Sequence, residues 1–121
     1  MNVETIASLT RPTGLPFSLN KIGHVAFHCA DVKLVTKFYL DVLGFRESDW
    51  MGDFFSFLRC GVDHHTINFT RYETERLHHI AFELRDWGDI HQACDYLTKK
   101  KVQLVWGPLR HVVGHNIAAY H

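Results

Sequence analysis

The chain has 121 residues and a mass of 14.1 kDa, enough for one domain that buries roughly two-thirds of its unfolded surface without disulfide staples. Hydrophobic residues at 46% and charged residues at 21% are near the averages of soluble folded domains, which sets aside disordered, collagen-like and coiled-coil readings. Lys+Arg and Asp+Glu number 13 each, so no net field draws the protein to nucleic acid or to an anionic membrane. The count that stands out is His, 10 residues of 121, which brings metal or acid/base chemistry forward. Cys29, Cys60 and Cys94 form no CxxC pair and leave an odd thiol, a usage that suits a reducing, cytoplasmic setting. No stretch has the length of a signal-peptide core or a membrane span.

In chain order, residues 1–20 carry Pro12, Gly14 and Pro16 among scattered polar residues and read as an irregular leader or linker. The compact domain is expected over 21–121. Sliding the chain by 55 positions reveals an internal repeat: Ile22, His24, Val25, Ala26, Phe27 and Asp31 fall on Leu77, His79, Ile80, Ala81, Phe82 and Asp86. Each run is a short β-branched and aromatic segment closed by an acidic residue, the pattern of a strand feeding a helix N-terminus. Val35, Phe38, Tyr39 and Val42 then fall on Ile90, Ala93, Cys94 and Leu97, the spacing of one helical face.

Gly44 is the expected stop of the first helix. Three strand-like runs follow it, Phe45 to Met51, Phe54 to Gly61 and His65 to Tyr72, so the first unit (21–73) is βαβββ. After the second helix, Val102 to Trp106 and Asn116 to Tyr120 supply two more strands across an expected Gly107-Pro108 turn. The second unit (76–121) therefore stops one strand short, and the C-terminus is expected to be cut or missing. The fold class is α+β, with paired βαβββ units curling a mixed sheet around a shared concavity.

Alternation along a strand puts His24, Ala26 and His28 on one face, and His79, Ala81 and Glu83 on the repeat-related face with His78 opposite. A single His on a half-buried strand is ordinarily a hydrogen-bonded structural residue. Its duplication favours a pair, His24 and His79, converging across the concavity as two ligands of a metal. His28, about 13 Å farther along an extended strand, is read as a pocket or rim residue. His64 and His65 open a strand, so only one of them should face the cup. Arg110, His111, His115, Asn116 and Tyr120 form a second polar cluster, which composition alone would make a solvated loop. Lys99 to Lys101 and Glu73 to Arg76 read as exposed ends and turns.

The arrangement resembles the type I extradiol ring-cleavage dioxygenases of the vicinal oxygen chelate (glyoxalase/bleomycin resistance/dioxygenase) superfamily, over essentially Lys21 to His121. The superfamily marks are Gly23-His24-Val25, Phe38-Tyr39 with Val42-Leu43-Gly44-Phe45, and Leu77-His78-His79-Ile80-Ala81-Phe82. Those that look specific to dioxygenases are His64-His65-Thr66, with His65 fourteen residues before His79, and Arg110-His111, with Tyr120 nine residues after His111. The resemblance implies that His24 and His79 bind Fe(II), or less often Mn(II), that His65 is the acid/base residue, and that His111 and Tyr120 contact a catechol substrate beside O₂. It also implies a homo-oligomer, and a third ligand, a Glu on the last strand, that would lie beyond His121.

Two His and one carboxylate leave three adjacent positions open on a ferrous ion, enough for a bidentate catecholate and O₂. A base of pKa near seven, the expectation for His65, can move a proton with a benefit of ~10²–10⁴-fold. Tyr120 and His111 can fix the ring by hydrogen bonds. Two other readings compete. A glyoxalase-like or epimerase-like isomerase should show a fourth Glu or Gln ligand on the strand His65-Thr66-Ile67-Asn68-Phe69, which offers only Asn68, with Glu73 beyond it. A non-catalytic cup of the same fold would bind a small molecule without metal.

Overall fold

The computed structural model describes residues 14–121, so most of the expected 1–20 leader lies outside the described residues. The elements in order are β1 (Leu19–Cys29), α1 (Val32–Asp41), β2 (Arg46–Met51), β3 (Phe55–Arg59), β4 (Ile67–Arg71), β5 (Arg76–Leu84), α2 (Trp87–Lys99), β6 (Trp106–Arg110) and β7 (Ile117–Tyr120). Five strands form one mixed sheet in the order β2-β3-β4-β1-β5, and β6 and β7 pair separately. Within the large sheet β1 runs parallel to β4 and antiparallel to β5.

Both helices start where the acidic residues were expected. Asp31 caps α1 by accepting from Leu34 N at 2.9 Å, and Asp86 caps α2 by accepting from Asp89 N at 2.9 Å. Gly44, at φ +70°, lets the chain reverse after α1, with Phe45 N donating to Tyr39 O at 3.1 Å. The buried stripe of α1 differs from the expected one. It runs through Val32, Val35, Thr36, Tyr39 and Leu40, while Phe38 and Val42 are 50% and 65% exposed. The 3.6-residue period permits either stripe, and the cluster of Cys29, Leu58, Ile67 and Phe69 beneath the helix selects the first. Inside this core Thr36 Oγ1 and Ser56 Oγ satisfy each other at 2.7 Å.

On α2 the expected face holds: Ile90, Ala93, Cys94 and Leu97 all point inward, but toward a cavity. The reason is topological. In the first unit β4 fills the place beside β1 and pairs with β3. Among the described residues no strand fills the corresponding place between β5 and β7. Ile80 and Phe82 therefore stay 45% and 53% exposed, where their counterparts Val25 and Phe27 are covered.

The strand expected at Val102 to Trp106 is displaced to Trp106–Arg110, and Gly107-Pro108 lies inside it instead of forming a turn. Gly107, at φ +88°, sits in a bulge where a Cβ would come within 2.5 Å of Ala118 O. β6 pairs only with β7, so Pro108 can present its missing N–H to the open edge. The ladder continues before the strand through Val105 N to Tyr120 O, 2.8 Å.

Candidate metal centre

β1 and β5 lie edge to edge, with His24 opposite Ala81 and His79 opposite Ala26. The two imidazoles are thus diagonal neighbours on one sheet face, and their Nε2 atoms stand 3.0 Å apart. Two nitrogens bound to one ion at about 2.1 Å, at right angles, would be about 3.0 Å from each other. The donor set fits the imidazole share of a two-histidine, one-carboxylate centre. Among the described residues no third His, Cys, Asp or Glu completes a metal-binding group with them.

Local irregularities help the convergence. The register between β1 and β5 slips between Ile22 and His24, leaving Gly23 as an extra residue on β1, and again between Ala26 and Phe27, leaving His78 as an extra residue on β5. Each bulge directly precedes a candidate ligand, where the added twist re-aims the side chain.

His65 packs its ring on His24, centroids 4.4 Å apart, and its Nδ1 lies 2.9 Å from His64 Nδ1. The expectation that only one of this pair faces the cup fails: both line the cavity. β4 begins at Ile67, so both histidines belong to the preceding loop, where strand alternation does not apply. Tyr120 packs edge-on to His79 with centroids 5.2 Å apart, and its OH is 3.2 Å from His111 Nε2. Trp106 braces both Tyr120 and His111. His24, His79, His65, His111 and Tyr120 are thereby gathered in one region.

Of the rest of the polar cluster, Asn116 also lines the cavity, and contacts within the cluster hold its loop. Arg110 Nη1 donates to His115 O at 2.6 Å and His111 N donates to Asn116 O at 2.9 Å, which closes the loop carrying His111. His28 lies off the cavity lining, stacked on Tyr72 at 4.6 Å.

The electrostatics favour neutral rings. Burial, followed by the neighbouring imidazoles, lowers His24, His65 and His79 from 6.5 to about 4 each. Neutral imidazole is the form that binds a metal. For His65 this replaces the expectation of a base near seven: in the ligand-free site, half-buried among other imidazoles, its conjugate acid is much stronger. Burial also lowers His111 and raises the Tyr120 phenol, which keeps its proton.

The cavity measures about 800 Å³, within the range of small-molecule sites. His24, His64, His65, His78, His79 and Tyr120 line its polar side, and Ile80, Phe82, Ile90, Leu97 and Leu104 its apolar side. Neither residue considered for a fourth ligand reaches it. Asn68 is buried, with Oδ1 unpartnered among the described residues, and Glu73 sits in the exposed turn after β4. Sequence reasoning missed His64 and His78. The signal for both was a doubled histidine, whose consequence depends on a loop and a bulge that the sequence pattern does not mark.

The sequence pattern of the Glyoxalase/Bleomycin resistance protein/Dioxygenase superfamily matches residues 21–120. Among curated proteins, Metapyrocatechase 2 of Cupriavidus necator is 30% identical over 102 residues, covering 83% of this chain and 32% of its own length. The manganese-dependent 2,3-dihydroxybiphenyl 1,2-dioxygenase of Geobacillus genomosp. 3 is 31% identical over 88 residues, covering 71% of this chain and 28% of its own. Among solved structures, the Mn(II)-bound glyoxalase from Novosphingobium aromaticivorans superposes with a TM-score of 0.83 at 34% identity, over 91% of this chain and 36% of that one. The chain spans about a third of the length of the curated relatives it matches.

Proposed function

Because this chain belongs to the glyoxalase/bleomycin resistance protein/dioxygenase superfamily, we propose that its site performs extradiol ring cleavage with a non-haem Fe(II), or alternatively Mn(II). A catecholic ring opens beside its two hydroxyls, and both atoms of O₂ enter the product with no external reductant. The observation that carries this reading is the 3.0 Å approach of His24 Nε2 and His79 Nε2, with His65 and the His111–Tyr120 pair against them. The named dioxygenase relatives support it.

His24 and His79 would hold the metal through Nε2. When bound in a two-histidine, one-carboxylate setting, the metal supplies open positions for catecholate and O₂ and a route for electron density between them. The rest is the work of this chain's side chains. His65 Nδ1 is engaged by His64 and burial keeps the ring neutral in the ligand-free site; its Nε2 would accept a hydrogen bond from a substrate hydroxyl, and would take up the proton once the negative charge of a bound catecholate raises the ring's basicity. The Tyr120 hydroxyl lies 3.2 Å from His111 Nε2; with the hydroxyl donating there, its oxygen lone pairs would accept from the substrate and fix the ring. The apolar wall of Ile80, Phe82 and Leu97 would pack against the carbon skeleton. A carboxylate on a strand parallel to β5 would complete the ligand set; the open place there, matched by β4 beside β1 in the first unit, supports that expectation.

The same reading divides 21–121 into units 21–73 and 76–121, and takes the protein as a cytoplasmic homo-oligomer. Among the described residues no helix is long and apolar enough to cross a membrane.

To test it, the protein is loaded anaerobically with ferrous iron, titrated with catechol, and then exposed to air. One O₂ consumed per catechol is expected, with iron binding lost in His24→Ala. Binding of neither iron nor catechol would overturn it. The likeness to a Mn(II)-bound glyoxalase favours, as a second reading, a metal-dependent isomerase, which would turn over its substrate without consuming O₂.

A further inference from the structure

The two bulges beside the candidate ligands are related by the 55-residue repeat: Gly23 precedes His24 on β1, and His78 stands at the equivalent place before His79 on β5. The first bulge thus carries no side chain, and the second carries an imidazole. In an unbulged strand His78 would point away from His79. Here the extra residue turns the His78 ring round until its Nδ1 lies 2.6 Å from His79 Nδ1. The contact is made although His78 is exposed, because a rim assembly supports its ring. His28 lies against it with centroids 4.5 Å apart, and His28 is itself stacked on Tyr72 and contacted by Arg76 Nε at 3.4 Å from its Nδ1.

We propose that His78 is a positioning residue that fixes the ring orientation and tautomer of His79, holding the proton of His79 on Nδ1 and its Nε2 lone pair toward His24. This rests on the reading of His24 and His79 as metal ligands. The hydrogen-bond chain allows two self-consistent arrangements, with either His79 or His78 supplying the Nδ1 proton, and only the first leaves the Nε2 lone pair of His79 free for a metal. Two nitrogens 2.6 Å apart must share one proton, and two nitrogens 3.0 Å apart must share another. With His78 Nδ1 accepting from His79 Nδ1–H, His79 Nε2 is an acceptor, and His24 Nε2–H donates to it in the metal-free protein. His24 makes no Nδ1 hydrogen bond among the described residues, so its proton is free to move to Nδ1 when a metal takes both Nε2 positions. One ligand is therefore preset and the other adjusts. Orientation of a ligating histidine through its second nitrogen is worth ~10–100-fold in metal affinity.

The test uses the full chain with ring-¹⁵N-labelled histidine, metal-free, at neutral pH, followed by titration with manganous ion alone. Wild-type His79 should show its proton on Nδ1. His78→Ala should let it move to Nε2 and weaken manganous binding about 10–100-fold. His78→Asn, whose Oδ1 occupies the place of Nδ1, should restore both. A wild-type His79 protonated on Nε2 overturns the proposal before any variant is made. So does a His78→Ala protein with the wild-type tautomer and unchanged manganous affinity. The ring spectra report on positioning alone, so a wild-type protein that shows the expected tautomer and binds no manganous ion counts against the metal centre instead.

Discussion

The three inward histidines should make the metal-free protein acid-sensitive in a window set by their own titration. His24, His65 and His79 each take up a proton at about 4 in the folded chain and at 6.5 when exposed by unfolding. The unfolded chain thus binds more protons over this range. The stabilisation they confer is fully present above 6.5, falls as the pH drops, and is spent near 4. At ~1.4 kcal/mol per pKa unit, the depression sets a ceiling of about 3 kcal/mol for each ring. The rings line a cavity open to solvent, so screening is expected to leave about 1–2 kcal/mol each, or about 3–6 kcal/mol for the three. Urea unfolding in chelator at steps from pH 7.5 to 4 measures this. Replacing one ring by an uncharged side chain, His65→Gln, should lower the loss between pH 6.5 and 4 by about 1–2 kcal/mol. An identical pH dependence in wild type and His65→Gln would refute the reasoning, because carboxylates alone would then account for the loss.

Other consequences are as direct. Ser56→Ala leaves Thr36 Oγ1 buried without its 2.7 Å partner and should cost about 1–3 kcal/mol, whereas Thr36→Val combined with Ser56→Ala should recover most of it in a double-mutant cycle of urea midpoints. Gly107→Ala must place a Cβ within 2.5 Å of Ala118 O at φ +88°, and should destabilise by about 1–3 kcal/mol while changing the Trp106 fluorescence that reports on Tyr120. Tyr120→Phe removes the hydroxyl 3.2 Å from His111 Nε2. In anaerobic titrations it should weaken catechol binding about 2–13-fold, the equivalent of about 0.5–1.5 kcal/mol.

The repeat carried most of what could be read from the residues. It aligned His24 with His79 and Asp31 with Asp86; the first pair meets across the antiparallel β1–β5 seam, which the repeat did not specify, and the second pair forms the two helix caps. What escaped was set by tertiary context. The 35/38/39/42 face of α1 and the 32/35/36/39/40 stripe satisfy helical periodicity equally well, and only the residues beneath the helix decide between them. Pro108 after Gly107 reads locally as a turn. It is compatible with a strand because the edge it faces is open and the bulge opposite Ala118 accepts a positive φ. The same limit applies to the site. His64 and His78 were assigned by strand alternation, which fails in a loop and at a bulge, and His65 was given an ordinary histidine pKa because burial by His24, Phe57 and the loop cannot be counted along a chain.

His24 and His79 are proposed to grip one metal ion through Nε2. Electron spin echo spectroscopy of the manganous protein counts the imidazole nitrogens on the ion. Two are predicted in wild type and one in each of His24→Ala and His79→Ala. A manganous signal with no nitrogen coupling, or one that both substitutions leave unchanged, would contradict the account.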